Sequence, residues 1–548
     1  MSEIKEITEF LPPIRVVAAE NADNPERLIG NVERQVPLCG TEFATVRPNG
    51  YILLDYGSEI SGGARILTQI VRSDKYSAKI RVRFGESATE AMSELGEKNS
   101  GNHHSTRDFV LNVQNLSEVR FGSTGFRFIR IDNLDNSDIG FLSVQAAFTH
   151  SPLAATGSFS SDDEILDKIW EISDRTVFLN MQNGVLWDGV KRDRLVWAGD
   201  LYVEILSCLY IYGDAESVRN SIDMCLENVK KTGWANNIPS YSLWLALDID
   251  LYYMYTGDVN YPKKCMPFID DLLNRLDVCV DENGKFDPCR YSGSKTNRPY
   301  FIDWPTEGGE DNIYAVEAIL RYTLGKIAKM KADSGESPEK AEEILGRAKK
   351  RPAKLTDKKS LNALQMLFGG VKNEAFAESL LKGGAEGIST FMAYFIFSAM
   401  FEAGYKKESS EILKEYFSAM INLGATTFFE DFDILWKSEC FPLDSLGEAG
   451  KKDLHGDKGK HCYVGFRHSL CHGWASGAVP FIVEKIAGVK NLGEGFGKIS
   501  VKPELAGLNR INMSVATPLG ALKIKAENAG GKVKTIIEAS KKTKIING

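Results

Sequence analysis

THSPLAATGSFSSDDEILDKIWEISDRTVFLNM, residues 149–181, is where the chain changes its period. The first part, Thr149–Ser161, is rich in Pro, Gly, Ser and Ala, the composition of a connector. The second part opens with Ser161, Asp162 and Asp163, side chains that cap a helix by accepting a backbone N–H. Ile165, Leu166, Ile169 and Ile172 then recur at helical spacing. One kind of structure should end here and another begin.

Upstream, "YILLDYG", "ARILTQIV", "AKIRVRFGES", "RDFVLNV" and "FRFIRIDNL" are short β-branched or aromatic runs separated by Gly, Asn and Ser, the spacing of a β-sandwich. The first 45 or so residues carry no clear pattern. Downstream, helical periodicity continues to about residue 485, in runs such as "LYVEILSCLYIYG", "YSLWLALDIDLYYMYTGD", "NIYAVEAILRYTLGKIAKM" and "ESSEILKEYFSAMINLG". Several end in Gly, as helix C-termini do. No fixed-period repeat marks a solenoid, so about a dozen helices should close into a barrel. From "GKISVKPELAGL" (497–508) the period returns to two, and a small antiparallel sheet should follow. The expectation is a β domain over 1–150, a helical domain over 151–485 and a small β domain over 486–548.

Composition narrows the function. A chain of 548 residues is long enough for two to four domains. A net charge of −8 argues against a nucleic-acid surface, which needs clustered positive charge. Nine cysteines run from Cys39 to Cys471 with no C-x-x-C pair, fitting a reduced compartment better than a disulfide framework. The N-terminus has no cationic and apolar signal pattern, and the most apolar run, "FMAYFIFSAMF" (391–401), is shorter than the roughly 20 residues of a membrane span. A cytoplasmic protein is expected, with no membrane partner; the oligomeric state is not legible.

The chemistry concentrates in "LWDGVKRDRLVWAGD" (186–200), with three aspartates, three cations and two tryptophans. Asp193 and Asp200 are seven residues apart and would share a face if one helix carried both, with Asp188 in the loop before it. Arg192 beside Asp193 favours an ionised carboxylate, whereas burial favours the protonated form that a catalytic acid needs. A capped helix start with ion pairs and a core Trp197 would give the same pattern. Tryptophans beside carboxylates also suit a sugar, whose ring stacks on aromatic faces while its hydroxyls bond to acids.

"DGVKRDRLVWAGD" resembles the signature of glycoside hydrolase family 78, the α-L-rhamnosidases: Asp-Cys-Pro-Gln-Arg, one or two acids, then Arg/Lys-Leu-Gly-Trp-Thr-Gly-Asp. Asp188, Arg192, an acid at 193, Leu195, Trp197, Gly199 and Asp200 match; Gly189, Val190 and Lys191 replace Cys-Pro-Gln. "YSLWLALDIDLYYMYTGD" (241–258), "FIDW" (301–304), "GATTFFEDFD" (424–433) and "SLCHGWASGAVPFI" (469–482) resemble further family segments in the family's order, and the resemblance runs from about residue 50 to the end.

The resemblance implies an (α/α)6 barrel flanked by an N-terminal β-sandwich and a small C-terminal antiparallel β domain. It implies hydrolysis of a terminal α-L-rhamnoside with inversion, by an acid and a base roughly 6.5–9.5 Å apart. The family's acid, a glutamate, falls on Asp193, one methylene shorter, which marks a divergent subgroup or a weakened enzyme. The family's base falls on Glu430, with Phe429 in place of Trp, and Asp431 is the competing neighbour. Asp188, Arg192 and Asp200 would bind sugar hydroxyls; Trp197, Asp303, Trp304, His472 and Trp474 would complete the pocket. The implied partner is a rhamnose-containing glycoside or oligosaccharide. Acid–base hydrolysis needs no cofactor.

His455, His461, His468 and His472, with Cys462 and Cys471 between them, fit no compact zinc spacing, so no metal is expected. His103 and His104 fall in a β-domain loop. Two other function classes remain open. One is a phosphorylase or lyase on the same scaffold, the former needing a basic phosphate pocket and the latter Tyr, His and Arg in place of opposed carboxylates. The other is a sugar-binding protein without a working acid.

Overall fold

The computed structural model describes residues 6–38, 42–103, 105–292, 298–461 and 463–546, so Cys39, His104 and Cys462 lie outside it. Among the described residues ahead of the connector are seven strands: β1 (Ile7–Leu11), β2 (Arg15–Asp23), β3 (Ala44–Val71), β4 (Ser77–Gly85), β5 (Asp108–Gln114), β6 (Ser117–Asn133) and β7 (Ile139–His150). The first two come from the stretch whose sequence pattern predicts nothing.

All seven belong to one antiparallel sheet, ordered β1-β7-β3-β6-β4-β5 with β2 on β3, rather than to the two separate sheets of a sandwich. The reason lies in β3. This 28-residue strand slips register against β6 between Asp55 and Ile60 and again between Gly62 and Ala64. Such bulges bend a strand without ending it, so one strand passes along both sides of the core of Ile52, Phe84, Phe126 and Val144. After β4 comes a five-residue helix, α1 (Ala88–Met92), capped by Ser87, whose Oγ accepts the Glu90 N–H at 3.1 Å.

The connector contains a strand of its own. β8 (Ser158–Ser161) pairs antiparallel with Ile511–Ser514 in a four-stranded sheet completed by strands 510–515, 522–529 and 532–538. The entry to the helical region is thus fastened to the chain's last sheet across some 350 residues of sequence. Next comes α2 (Glu164–Asn180), with Asp163 accepting the Ile165 and Leu166 N–H groups. Leu166, Ile169 and Ile172 are buried, but Ile165 faces outward.

A succession of helices follows: α3 (Leu201–Ile211), α4 (Ala215–Thr232), α5 (Pro239–Thr256) and α6 (Asn260–Cys279), then helices over 312–333, 339–348, 359–367, 374–381, 393–402 and 406–422. The helices 359–367 and 374–381 escape a reading by periodicity because nine and eight residues hold barely two turns. α3 and α5 are buried along nearly their whole length, and Tyr202 of α3 and Trp244 of α5 meet Phe395 in the core. Helices buried all round belong at the centre, and the N-termini of these two reach one cavity. None of the described helices is long and apolar enough to cross a membrane. The seven described cysteines are unbridged.

Candidate active site

No helix covers residues 187–200; they form an irregular loop ahead of α3, with Asp193 and Arg194 in the left-handed region at φ 60° and 53°. Asp193 and Asp200 therefore do not share a helix face. Asp188 closes the loop on itself: its N–H donates to Leu195 O at 3.0 Å and its Oδ1 accepts the Leu195 N–H at 2.9 Å. The Asp188 carbonyl also accepts the Gly473 N–H at 2.8 Å, joining this loop to the segment around His472. A third loop carries Glu430. Its N–H donates to Ser469 O at 3.0 Å, and its carbonyl accepts from Thr390 Oγ1 and Trp474 Nε1 at 2.6 and 3.0 Å.

These three loops surround a cavity of about 250 Å³ lined by Asp188, Asp193, Trp197, Asp200, Trp304, Glu430, His472 and Trp474, all singled out from the sequence. Arg192 and Asp303 stand behind its wall. The Arg192 guanidinium bridges the two candidate catalytic carboxyls, with Nη1 2.5 Å from Asp193 Oδ2 and Nη2 2.5 Å from Glu430 Oε2, while Nε donates to Arg467 O at 2.8 Å. Asp303 accepts the Trp304 N–H at 2.8 Å and the Ser389 hydroxyl, bracing the turn that presents Trp304. Asp431 is outside the lining, its N–H donating to His468 Nε2 at 2.9 Å. Of the two adjacent acids, Glu430 faces the cavity.

The cavity also takes Ile238, Tyr241, Arg298, Phe301 and Arg467, which the sequence reading passed over. Tyr241 donates its hydroxyl to Asp200 Oδ1 at 3.3 Å and meets Trp197 edge to face. Arg298 lies over the Trp304 ring and pairs with Glu307 at 2.6 Å. Gly199 makes room for this wall: a Cβ there would stand 2.4 Å from the Tyr241 ring.

Burial and charge separate the acids. Burial alone would raise Glu430, but Arg192, His472 and His468 outweigh it and hold the carboxyl down at about 2. Burial, reinforced by the neighbouring carboxyls of Asp200 and Asp193, pushes Asp188 up to about 8. Burial takes Asp303 to about 6 and, with Asp303's charge, Asp431 to about 7. Asp200 is also raised by burial, although His472 Nε2 lies 3.3 Å from its Oδ2. Burial would lower His472, yet Asp200, Glu430 and Asp188 raise it overall. An ionised Glu430 thus faces a cavity in which Asp188 stays protonated at neutral pH.

The clustered histidines disperse in space. His472 lines the cavity, His468 packs behind Glu430 with its pKa lowered by burial to about 3, and His461 is outside the site. His455 is buried with Glu86 and Glu90, their nearest ligand-type atoms within 4.8 Å of one another. The Lys191 ammonium sits in that group, 2.9 Å from Glu86, 3.4 Å from Glu90 and 3.1 Å from His455.

Residues 154–346 match the model of the bacterial alpha-L-rhamnosidase six-hairpin glycosidase domain. No curated protein matches the sequence. Among solved structures, the fold is similar to a GH78 family rhamnosidase of Bacillus sp. GL1, with TM-score 0.72 and 19% identity over 95% of this chain and 55% of that one. It is similar to the rhamnosidase from Klebsiella oxytoca with rhamnose bound, with TM-score 0.66 and 18% identity over 88% and 96%. It is also similar to the Streptomyces avermitilis alpha-L-rhamnosidase complexed with L-rhamnose, with TM-score 0.71 and 14% identity over 100% and 50%. The chain thus spans about half the length of the Bacillus and Streptomyces proteins and nearly all of the Klebsiella one. A bacterial alpha-L-rhamnosidase domain thus matches over residues 154–346, and the chain as a whole shares the fold of these rhamnosidases.

Proposed function

We propose that the protein is an exo-acting, inverting α-L-rhamnosidase that removes a terminal rhamnose from small glycosides or oligosaccharides, on a closed (α/α)6 barrel. The observation that carries this reading is Arg192 between Asp193 and Glu430 at the wall of a cavity of about 250 Å³. Such a volume suits one sugar ring better than a chain. A guanidinium between two carboxyls holds them apart, toward the roughly 6.5–9.5 Å that an inverting pair needs to admit water.

Asp193 donates its proton to the leaving glycosidic oxygen. Glu430, ionised over the whole physiological range, takes the proton of a water that attacks C1 from the opposite face. A carboxylate titrating near 2 is a weak base while Arg192 holds it. The entering sugar therefore draws the guanidinium toward its hydroxyls, and the basicity of Glu430 rises as the pair loosens. Asp188, protonated, and Asp200, bonded to His472 and Tyr241, hold the hydroxyls. Trp197, Trp304 and Trp474 supply the aromatic walls.

The test is p-nitrophenyl α-L-rhamnoside with wild type, Asp193→Asn and Glu430→Gln. Wild type should release p-nitrophenol and free rhamnose, not a rhamnose phosphate, whether or not inorganic phosphate is present. Each variant should fall by about 10³-fold or more in kcat while keeping its fold. A folded wild type inactive on every rhamnoside, yet binding L-rhamnose, would mean a sugar-binding protein.

A further inference from the structure

Between the β domain and the helical domain lies a buried set of charges outside the cavity. Glu86, just after β4, is fully buried. Its Oε2 accepts the Leu470 N–H at 2.7 Å and the Lys191 ammonium at 2.9 Å, and its Oε1 accepts the Ser469 hydroxyl at 3.3 Å. Each of those partners is one step from the reacting groups. Ser469 donates its N–H to Glu430 Oε2 at 3.1 Å and accepts the Glu430 N–H at 3.0 Å. Lys191 precedes Arg192, the residue whose guanidinium contacts both Asp193 and Glu430 and spaces them.

Lys191 has no room to wander. Besides the two glutamates, its ammonium donates to Phe466 O at 2.8 Å and His468 O at 2.6 Å. Those carbonyls belong to the strand of chain that runs into Ser469. One carboxylate of the β domain therefore ties together the 191–193 loop and the 466–470 segment, the supports of the two candidate catalytic carboxyls.

Stability alone is a poor reason for this arrangement. Taking several charges out of water costs about as much as their attraction returns, and an apolar plug would hold two domains at least as well. Burial in fact raises Glu86 to about 7 despite Lys191. What directed hydrogen bonds supply that an apolar contact does not is a fixed backbone position.

We propose that Glu86 is a positioning residue for the reaction: it fixes the 469–470 backbone that aims Glu430 and the Lys191 that anchors Arg192, so the β domain completes the active site. The proposal rests on the reading of Asp193 and Glu430 as the reacting pair. Displacing such a group by about 1 Å can cost on the order of 10²-fold in rate.

The test compares Glu86→Gln with Asp132→Asn. The second variant weakens the same domain by breaking the buried Arg83–Asp132 pair but touches neither Lys191 nor residues 469–470. Two readouts are taken: kcat and KM on p-nitrophenyl α-L-rhamnoside, and amide hydrogen exchange of a peptide spanning 466–472. Glu86→Gln should lower kcat by about 10²-fold with KM within about threefold, because the pocket wall survives while aim is lost. It should also speed exchange in 466–472 by tenfold or more. Asp132→Asn should lose stability with both readouts unchanged.

Unchanged exchange in Glu86→Gln overturns the proposal, and so does faster exchange with an unchanged kcat. If Asp132→Asn lowers kcat as much, Glu86 acts through general stability and the proposal also fails. A wild type without rhamnosidase activity defeats the functional reading separately; the exchange readout still shows whether Glu86 holds the 469–470 backbone.

Discussion

Replacing Arg192 with Met should move Glu430's titration into the measurable range. Arg192 is the largest of the influences holding Glu430 at about 2 instead of its ordinary 4.5, against a burial effect of opposite sign. The depressed carboxylate contributes stability above pH 4.5 that is lost as pH falls toward 2, on the order of 3 kcal/mol. Without Arg192, burial is opposed by His472, His468 and the Ser469 N–H, and Glu430 should titrate above its ordinary value. The sign of its contribution then reverses, and the variant loses stability as pH rises through that value.

The assay is kcat/KM for p-nitrophenyl α-L-rhamnoside from about pH 3 to 9, whose acid limb reports the free enzyme's base. Wild type should show no limb from Glu430 above about pH 3. The variant should show one displaced upward by about two units or more, on a kcat/KM lowered about 10²-fold, and should be less stable by about 3–5 kcal/mol near neutrality because a buried carboxylate has lost its partner. If activity is too weak to follow, guanidinium unfolding across the same pH range carries the same sign. An acid limb identical to wild type in a folded Arg192→Met protein would refute the idea that this guanidinium sets the base.

Other expectations follow from single contacts. Gly199→Ala drives a Cβ into the Tyr241 ring, so it should cost about 1–3 kcal/mol in thermal unfolding and raise KM by pushing Tyr241 off Asp200. Asp188→Asn keeps an acceptor for the Leu195 N–H and matches the protonated acid in charge. It should keep activity within about tenfold of wild type, far above Asp193→Asn, and gain stability over wild type as pH rises from about 4 toward 8, the window in which the unfolded wild-type chain ionises Asp188 while the folded protein keeps it protonated. Trp304→Ala, read by KM for the glycoside and by calorimetry with L-rhamnose, should weaken binding by roughly 1–3 kcal/mol with little loss of stability, since Trp304 lines the cavity and is only half-buried.

The period change at residues 149–181 reads correctly because Asp163 caps a real helix and Leu166, Ile169 and Ile172 reach the core. The same stretch conceals β8, since four residues of Ser and Phe acquire a strand only by pairing with residues 511–514. The single curled sheet is hidden for a related reason: β3 looks like several strands because its bulges interrupt the alternation. In the site, the acids stand out since burying charge needs a purpose. Tyr241 and Phe301 do not, because an aromatic facing a cavity and one facing the core look alike in a buried segment. The sequence leaves open whether a helix carries Asp193 and Asp200, because nothing at Asp193 or Arg194 announces a left-handed backbone, a conformation that usually selects Gly or Asn. Glu86 reads as one more strand-end acid until folding sets it beside Ser469 and Leu470.

The central claim is that Asp193 and Glu430 act from opposite faces of one bound rhamnose. Proton NMR of the first product from p-nitrophenyl α-L-rhamnoside tests it most directly, before mutarotation scrambles the anomers. The account predicts that β-L-rhamnose appears first and the α-anomer only later. Initial release of α-L-rhamnose would contradict it, since retention requires one carboxylate to attack the sugar itself.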